Sequence, residues 1–428
     1  MTDHRIKNFS ALATTPLRRD ALDILEAGYD AIETGRVIRE QITLEGDDIC
    51  IRDRSICLTD YKRIFFVGIG KCAVDAAQAF EALLGDRITD GIVLDVKSGV
   101  FQKLRSYVGT HPFPSEGNVT VTEEIAAMLK GANHHDLIFT VVSGGGSSLL
   151  CLPHDLKCET LREITEALWK GGAAIEEVNT VRKHLSDIQG GQFAKLAYPA
   201  TVVSFIFSDV PGNTIDMIAS GPTVMDSTTV DDARRILEHY DILGVCRVPN
   251  CELVETPKDA EYFARVMNIL LVTNETALAA MADRARALGY TAKVVNVRLE
   301  GIAREVGRTL ATAVIPERTC YLYGGETTVE IRGTGIGGRN QELALAAAQV
   351  IPDHRVLVAA ASDGWDNTPA AGAITDAGDR KRACEEMFDL SQFLENNDAY
   401  RFWARASGAI DTGRTGSNVA DLTIVITE

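Results

Sequence analysis

Short, almost wholly apolar runs recur along the chain, separated by stretches in which apolar residues return every three or four positions. The runs at 63–69, 91–95, 137–142 and 201–207 are rich in Val, Ile, Leu and Phe. Such runs read as strands buried on both faces, as in parallel sheets. Helical spacing covers 16–40, with Pro16 at its start, then 73–84, a segment after the 110–117 loop to about 130, 159–170, 174–196 and 231–239. Residues 42–58 alternate loosely and predict a small hairpin. The pattern restarts with a strand at 268–273, followed by a helix at 275–288, a strand at 293–296 and a helix at 301–314. Strands at 320–326 and 327–332, a helix ending near 350, a strand at 355–361, a helix at 381–396 and a last strand at 421–426 complete it.

Strands alternating with helices predict an α/β fold, with a mainly parallel sheet in an N-terminal Rossmann-like domain and a second, smaller α/β domain. The irregular stretch 247–267, with Pro249 and Pro257, predicts the boundary and hinge, giving domains at 1–245 and 268–428. In open α/β sheets ligands bind outside the carboxyl ends of the strands. Lys71, the 143–148 loop and Asp209 all follow predicted strands and are expected along one such edge.

The length, 428 residues, exceeds one ordinary core and agrees with two domains. A net charge of −17 argues against nucleic acid or an anionic membrane as main partner, but not against an anionic substrate in a local cationic pocket. Nine cysteines are scattered without a Cys-x-x-Cys pair, as in a reducing compartment. The first residues contain no apolar signal region and no apolar run is long enough to cross a bilayer, so a cytoplasmic protein with small-molecule partners is expected.

The run 137–142 leads directly into Ser143, Gly144, Gly145, Gly146, Ser147 and Ser148. Glycines let backbone N–H groups converge and serines add hydroxyls, which makes a phosphate cradle; the plain alternative is a flexible turn. Lys71 stands on a glycine turn at a strand end, where its ammonium could hold a phosphate or a carboxylate, or simply face water. Ala73 occupies the place of the third glycine of a dinucleotide fingerprint, which weakens an NAD reading. Asp209 and Asp363 end apolar runs; strand-end carboxylates suit Mg²⁺ or a hydroxyl proton, though Asp also favours caps and Asx turns. Arg339 follows two glycines at a helix start, where a cation is unfavourable without an anion nearby. Glu326 is either a metal ligand or a turn residue, and His111 either touches a ligand or packs. No P-loop, Ser–His–Asp order or zinc spacing is present.

Taken together, Gly-Ile-Gly-Lys-Cys-Ala (68–73), Ser-Gly-Gly-Gly-Ser-Ser (143–148), Asn-Thr-Val-Arg-Lys-His (179–184), Ser-Asp-Val-Pro-Gly-Asn (208–213) and Ile-Ala-Ser-Gly-Pro-Thr (218–223) resemble the N-terminal domain of the glycerate 2-kinases. Gly-Gly-Glu-Thr-Thr-Val (324–329), Gly-Gly-Arg-Asn-Gln-Glu (337–342), Ser-Asp-Gly-Trp-Asp-Asn (362–367) and the closing 413–422 look like that family's C-terminal MOFRL domain. The resemblance covers nearly the whole chain, in order. It implies ATP- and Mg²⁺-dependent phosphorylation of D-glycerate at its 2-hydroxyl, by a monomer or homodimer. It places Lys71, Arg339 and Asp209 in the active site, Arg182 and Asn340 with Lys71 and Arg339 on the substrate, and Asp209, Asp363 and Glu326 at the metal. Here Cys72 stands for an alanine, and Ser115-Glu116 replaces an aspartate after the His-Pro loop, so no role is carried to that acidic position. Because anion donors lie in both halves, the site is expected in the cleft between domains. The alternatives are phosphorylation at the 3-hydroxyl, an NAD(P)H-dependent hydroxypyruvate reductase, which lacks its dinucleotide fingerprint here, and a sensor that binds without turnover.

Overall fold

The computed structural model describes residues 4–210, 212–246 and 252–428. Pro211 of the 208–213 loop and the first residues of the expected hinge lie outside the described residues. The helix expected over 16–40 is two helices, Pro16–Ala31 and Thr34–Gln41; Thr15 caps the first through its side chain, with Pro16 at the first helical position. Residues 42–58 form an antiparallel meander of three short strands, β1 (Ile42–Glu45), β2 (Asp48–Ile51) and β3 (Arg54–Cys57).

Six strands form the first large sheet: β4 (Arg63–Ile69), β5 (Asp90–Asp95), β6 (Arg105–Val108), β7 (Asp136–Val142), β8 (Thr201–Phe207) and β9 (Val266–Val272), in the order β6-β5-β4-β7-β8-β9. The pairs from β6 through to β8 are all parallel. β7 is buried at every position, the consequence of helices covering both faces of a parallel sheet. One core cluster joins Val67, Ile69, Ile92, Leu94, Ile138 and Val202 to Ile125, Leu129 and Phe193 of the covering helices. The helix expected over 174–196 is interrupted: Ile175–His184 and Gln192–Ala197 are separated by Gly190 and Gly191, both at positive φ. The strand expected to open the second domain, 268–273, is instead β9, beside β8 at the edge of this sheet.

The second sheet is mixed, with β10 (Thr291–Asn296), β11 (Thr319–Gly325), β12 (Arg355–Ala360), β13 (Gly372–Asp376), β14 (Ala409–Ile410) and β15 (Asp421–Thr427) in the order β10-β11-β15-β12-β13-β14. Only β10 and β11 run parallel; the other pairs are antiparallel. The alternation at 327–332 does not become a strand. β11 is already paired on both edges, and beyond it Thr328 makes only an isolated bridge to Ile302. The expected helix at 381–396 is likewise two, Ala377–Glu385 and Leu390–Glu395.

Contacts divide the chain into two compact units that interleave in sequence. Residues 34–208 and 214–271 form the parallel-sheet unit; residues up to 33, the short loop beginning at Asp209, and residues from 272 onward form the mixed-sheet unit. The N-terminal helix thus belongs with the C-terminal sheet, not with residues up to 245. Its Gly28 is pressed so closely against Met281 that a Cβ would lie 2.7 Å from the sulfur. Among the described residues no helix is long and apolar enough to cross a membrane.

Candidate active site

In the parallel-sheet unit, β4 and β7 pair through Ile69 and Val142, so the turns that follow them emerge side by side. The turns are bonded to each other: Ser143 N donates to Ile69 O at 3.0 Å and Lys71 N to Gly144 O at 3.0 Å. A side chain at Gly70 (φ +114°) would put Cβ 2.1 Å from Ser143 Oγ, so the approach needs glycine. Gly145 (φ +82°) faces the Lys71 stem and the His111 ring; a Cβ there would lie 3.3 Å from Lys71 Cγ and 3.2 Å from His111 Cδ2. The amides of Gly144 and Gly145 donate to no backbone carbonyl of the described residues. Lysine, histidine and glycine loop are therefore one constellation, as expected of an anion cradle.

Not all six loop residues face outward. Ser143 is buried, its hydroxyl 3.3 Å from Ile69 O, and Ser148 Oγ donates to Pro112 O at 2.5 Å. These two hydroxyls hold the loop; Gly145 and Ser147 form its accessible face. Ser147 Oγ lies 3.1 Å from Ser220 Oγ, which donates to Asn179 Oδ1 at 2.9 Å. Ala219 and Ser220 adopt positive φ, +50° and +58°, and Ala219 packs on Gly146, where a Cβ would be 2.5 Å away. Two consecutive non-glycine residues in this region mark backbone held by its surroundings, as functional loops often are. Buried Asn118 joins the His111 loop to the glycine loop: its Nδ2 donates to Thr110 O at 3.0 Å and Ser148 O at 2.8 Å, and its Oδ1 accepts from Thr110 N at 2.9 Å. Asp95, at the end of β5, accepts from Val74 N at 2.9 Å and so caps the helix Ala73–Leu84 that follows Lys71. Burial pushes its carboxyl up to about 6 despite that bond. Arg182, three residues beyond Asn179 on the helix Ile175–His184, is partly buried, and burial lowers its guanidinium to about 10.

The mixed-sheet unit gathers carboxylates. Arg339 opens the helix Arg339–Ala348 and engages Asp421 through Nε (2.5 Å) and Nη2 (3.1 Å), and Glu326 through Nη2 (2.9 Å). Burial disfavours its charge, but Asp421 and Glu326 outweigh that and hold it more firmly protonated. The anion that Arg339 and its helix start call for is thus supplied by the protein itself. Asp366 sits on the same helix start, accepting from Asn340 N at 3.2 Å and Gln341 N at 2.9 Å. Burial, then the neighbouring Asp421, raise it to about 6. Asn340 is buried and its Nδ2 donates to Asp366 at 3.2 Å, so its side chain serves the helix start. Asp209 accepts from Asn418 Nδ2 at 2.9 Å, and Asp363 accepts from Trp365 N at 2.9 Å in an Asx turn. Trp365 is exposed and lies under the Arg414 guanidinium, 4.4 Å from its centroid. The Tyr29 hydroxyl donates to Ala361 O at 3.1 Å, and burial, then Asp363, Asp421 and Asp366, raise it.

Residues 20–249 match the family described as a domain of unknown function (DUF4147), and residues 319–421 match the MOFRL family. Over 95% of its length the chain is 35% identical to D-glycerate 2-kinase of Thermotoga maritima, covering 98% of that protein, and 35% identical to glycerate 2-kinase of Pyrococcus horikoshii at the same coverage. The crystal structure of the Thermotoga maritima glycerate kinase superposes with a TM-score of 0.82 at 33% identity, over 96% of this chain and 99% of that one. The chain belongs to the glycerate 2-kinase family.

In this kinase the sequence assigns no role to Asn118, Asn179, Ser220, Asp366, Asn418 or Asp421. Asn179, Ser220, Asp366, Asn418 and Asp421 lie inside the recognised motifs, but amides, a hydroxyl and loop or strand-opening carboxylates carry no signature of their own. Asn118 sits within a helical pattern that does not mark its burial. The chemistry of Asp209, Asp363 and Glu326 suits Mg²⁺, which takes oxygen ligands. Among the described residues no three His, Cys, Asp or Glu side chains converge closely enough to form a complete metal cage. Mg²⁺ in kinases needs none, since one or two carboxylates with phosphates and water complete its shell.

Proposed function

We propose that the protein transfers the γ-phosphoryl group of ATP to the 2-hydroxyl of D-glycerate, giving 2-phosphoglycerate and ADP, as a cytoplasmic Mg²⁺-dependent enzyme. The observation that carries the reading is the Lys71 stem lying on Gly145, with the glycine loop bonded to the Lys71 turn. Membership of the family supplies the acceptor; scattered cysteines support the reducing compartment.

Phosphoryl transfer leaves little covalent chemistry to the protein, so positioning and charge neutralisation dominate. The amides of Gly144 and Gly145 and the Ser147 hydroxyl hold the ATP phosphates. Lys71 neutralises the equatorial oxygens of the phosphoryl group in flight. The 2-hydroxyl oxygen attacks phosphorus, the bond to the β-phosphate oxygen breaks, and Asp209, oriented by Asn418, takes the hydroxyl proton. Asp363 and Glu326 would hold Mg²⁺, which when bound offsets charge on the β- and γ-phosphate oxygens. Arg339 fixes Glu326 and Asp421.

Phosphorus NMR of the product formed from ATP and D-glycerate tests the reading. The 2-phosphoglycerate resonance is expected together with ADP. A 3-phosphoglycerate signal overturns the position; no ADP, or NADH oxidation with hydroxypyruvate instead, overturns the activity.

A further inference from the structure

Three cations stand on or near the elements of the candidate site with their pairing fully visible, and they differ. Arg339 is paired with Asp421 and Glu326. Lys183 is buried between Asp226 (3.1 Å) and Asp216 (3.3 Å). Arg182, next in sequence to Lys183, has no such neighbour. Among the described residues its guanidinium donates to no side chain or carbonyl, and no carboxylate lies within ion-pair range. A partly buried cation without a partner costs stability, so its retention calls for a ligand that completes it.

The surroundings say what kind. Asn179 and Arg182 are three residues apart on one helix and share a face. Asn179 reaches Ser220, and Ser220 reaches Ser147 on the accessible face of the glycine loop. Cys151, three residues past that loop, packs in one core cluster with Val178 and Val181 of the same helix. Arg182 therefore shares a helix face with Asn179, which reaches the phosphate loop through Ser220 and Ser147, all neutral groups. A planar guanidinium matches a planar carboxylate with two parallel hydrogen bonds.

We infer that Arg182, with Asn179 and Ser220 beside it, is the carboxylate clamp for the acceptor acid, and so sets the requirement for a carboxylate next to the phosphorylated hydroxyl. This rests on the activity proposed above and moves the carboxylate contact away from Arg339, whose fork is already filled.

The test compares wild type, Arg182→Gln and Arg182→Lys. In Arg182→Gln, KM for D-glycerate rises roughly 10- to 100-fold, the loss expected for charge-assisted hydrogen bonds, while KM for ATP stays within about twofold. Arg182→Lys recovers part of the loss. The preference for D-glycerate over its uncharged amide narrows in Arg182→Gln by a similar factor. D-Glycerate alone raises the thermal midpoint of wild type but not of Arg182→Gln, and the unliganded variant melts no lower than wild type, since removing an unpaired, partly buried charge does not destabilise. A raised KM for ATP with unchanged glycerate KM makes Arg182 a phosphate ligand and overturns the inference. So does a fall in the unliganded midpoint together with an unchanged acid-over-amide preference. If wild type makes no phosphoglycerate, the proposed activity fails; if it does and its glycerate KM survives Arg182→Gln, only the clamp fails.

Discussion

The turn at Lys71 and the turn at Arg339 are built alike but keep different company: a glycine loop lies on the first and two carboxylates hold the second. Each places a cation just before or at the start of a helix, and each helix start is capped by a buried carboxylate, Asp95 from the end of β5 for one and Asp366 from the loop after β12 for the other. The Lys71 stem lies on Gly145 beside the His111 ring, and the Lys71 amide is bonded to Gly144 O. Around Arg339 the neighbours are Asp421, Glu326 and Asp366. A motif that ends in an arginine at a helix start does not reveal that Arg339 meets the protein's own acids. The amides of the glycine loop at the first turn suit polyphosphate; the carboxylates at the second suit a metal ion.

If that contrast is real, the first turn is the more sensitive. Lys71→Ala should lower turnover by ~10²–10³, the usual cost of losing one charge at a transferring phosphoryl group, with an unchanged circular dichroism spectrum. Steady-state assay of the folded variant with near wild-type turnover would remove Lys71 from the chemistry. Gly145→Val should come next. The new side chain would press on the Lys71 stem and the His111 ring and would be strained at φ +82°. Calorimetry should show ATP binding lost; unchanged affinity would mean that the phosphates lie elsewhere.

The sequence is informative about these turns in proportion to how local their causes are. β4, β7 and β8 are read almost to the residue because continuous apolar runs have few other fates in an α/β chain. The glycine loop is legible because positive φ at Gly145 needs glycine. The assignment of 268–273 to the second domain fails for a tertiary reason: an edge strand carries no mark of which sheet it joins. The pairing of Arg339 with Asp421 spans 82 residues, and no spacing rule connects them. Loop serines also look equivalent in sequence, yet only packing separates Ser143 and Ser148, which hold the backbone, from Ser147, which faces outward.

The two capping aspartates also make the comparison testable through pH. Asp95 is raised from 3.8 to about 6 in the folded protein. The folded state then binds its proton more tightly than the unfolded state, so between about pH 4 and pH 6 the native state gains stability as pH falls. That contribution is fully present below the unfolded value and is lost as pH rises through the folded one. The shift corresponds to ~3 kcal/mol. Asp95→Asn removes the titration, so wild-type stability minus that of the variant should rise from pH 7.5 to pH 4 in urea unfolding. A flat difference, or one that falls, would identify Asp95 as a fully ionised, stabilising cap.

The smallest effect is expected at the second turn, from Arg339→Lys. Lysine keeps the charge but loses the fork that holds both Asp421 oxygens and Glu326 at once. One of those acids is then left under-paired, and Glu326 is less firmly placed. With Glu326 as a metal ligand, the Mg²⁺ concentration for half-maximal rate should rise and turnover at fixed Mg²⁺ should fall about tenfold, the scale of one charge-assisted hydrogen bond. Excess Mg²⁺ should recover part of that rate. KM for D-glycerate should hardly move, because the acceptor carboxylate is assigned to Arg182. Titrating Mg²⁺ and glycerate independently on the same variant separates the two. A large rise in glycerate KM with unaltered Mg²⁺ dependence would reverse the contrast: Arg339 would then exchange its own carboxylates for the substrate's during turnover, and the second turn would be an anion site after all.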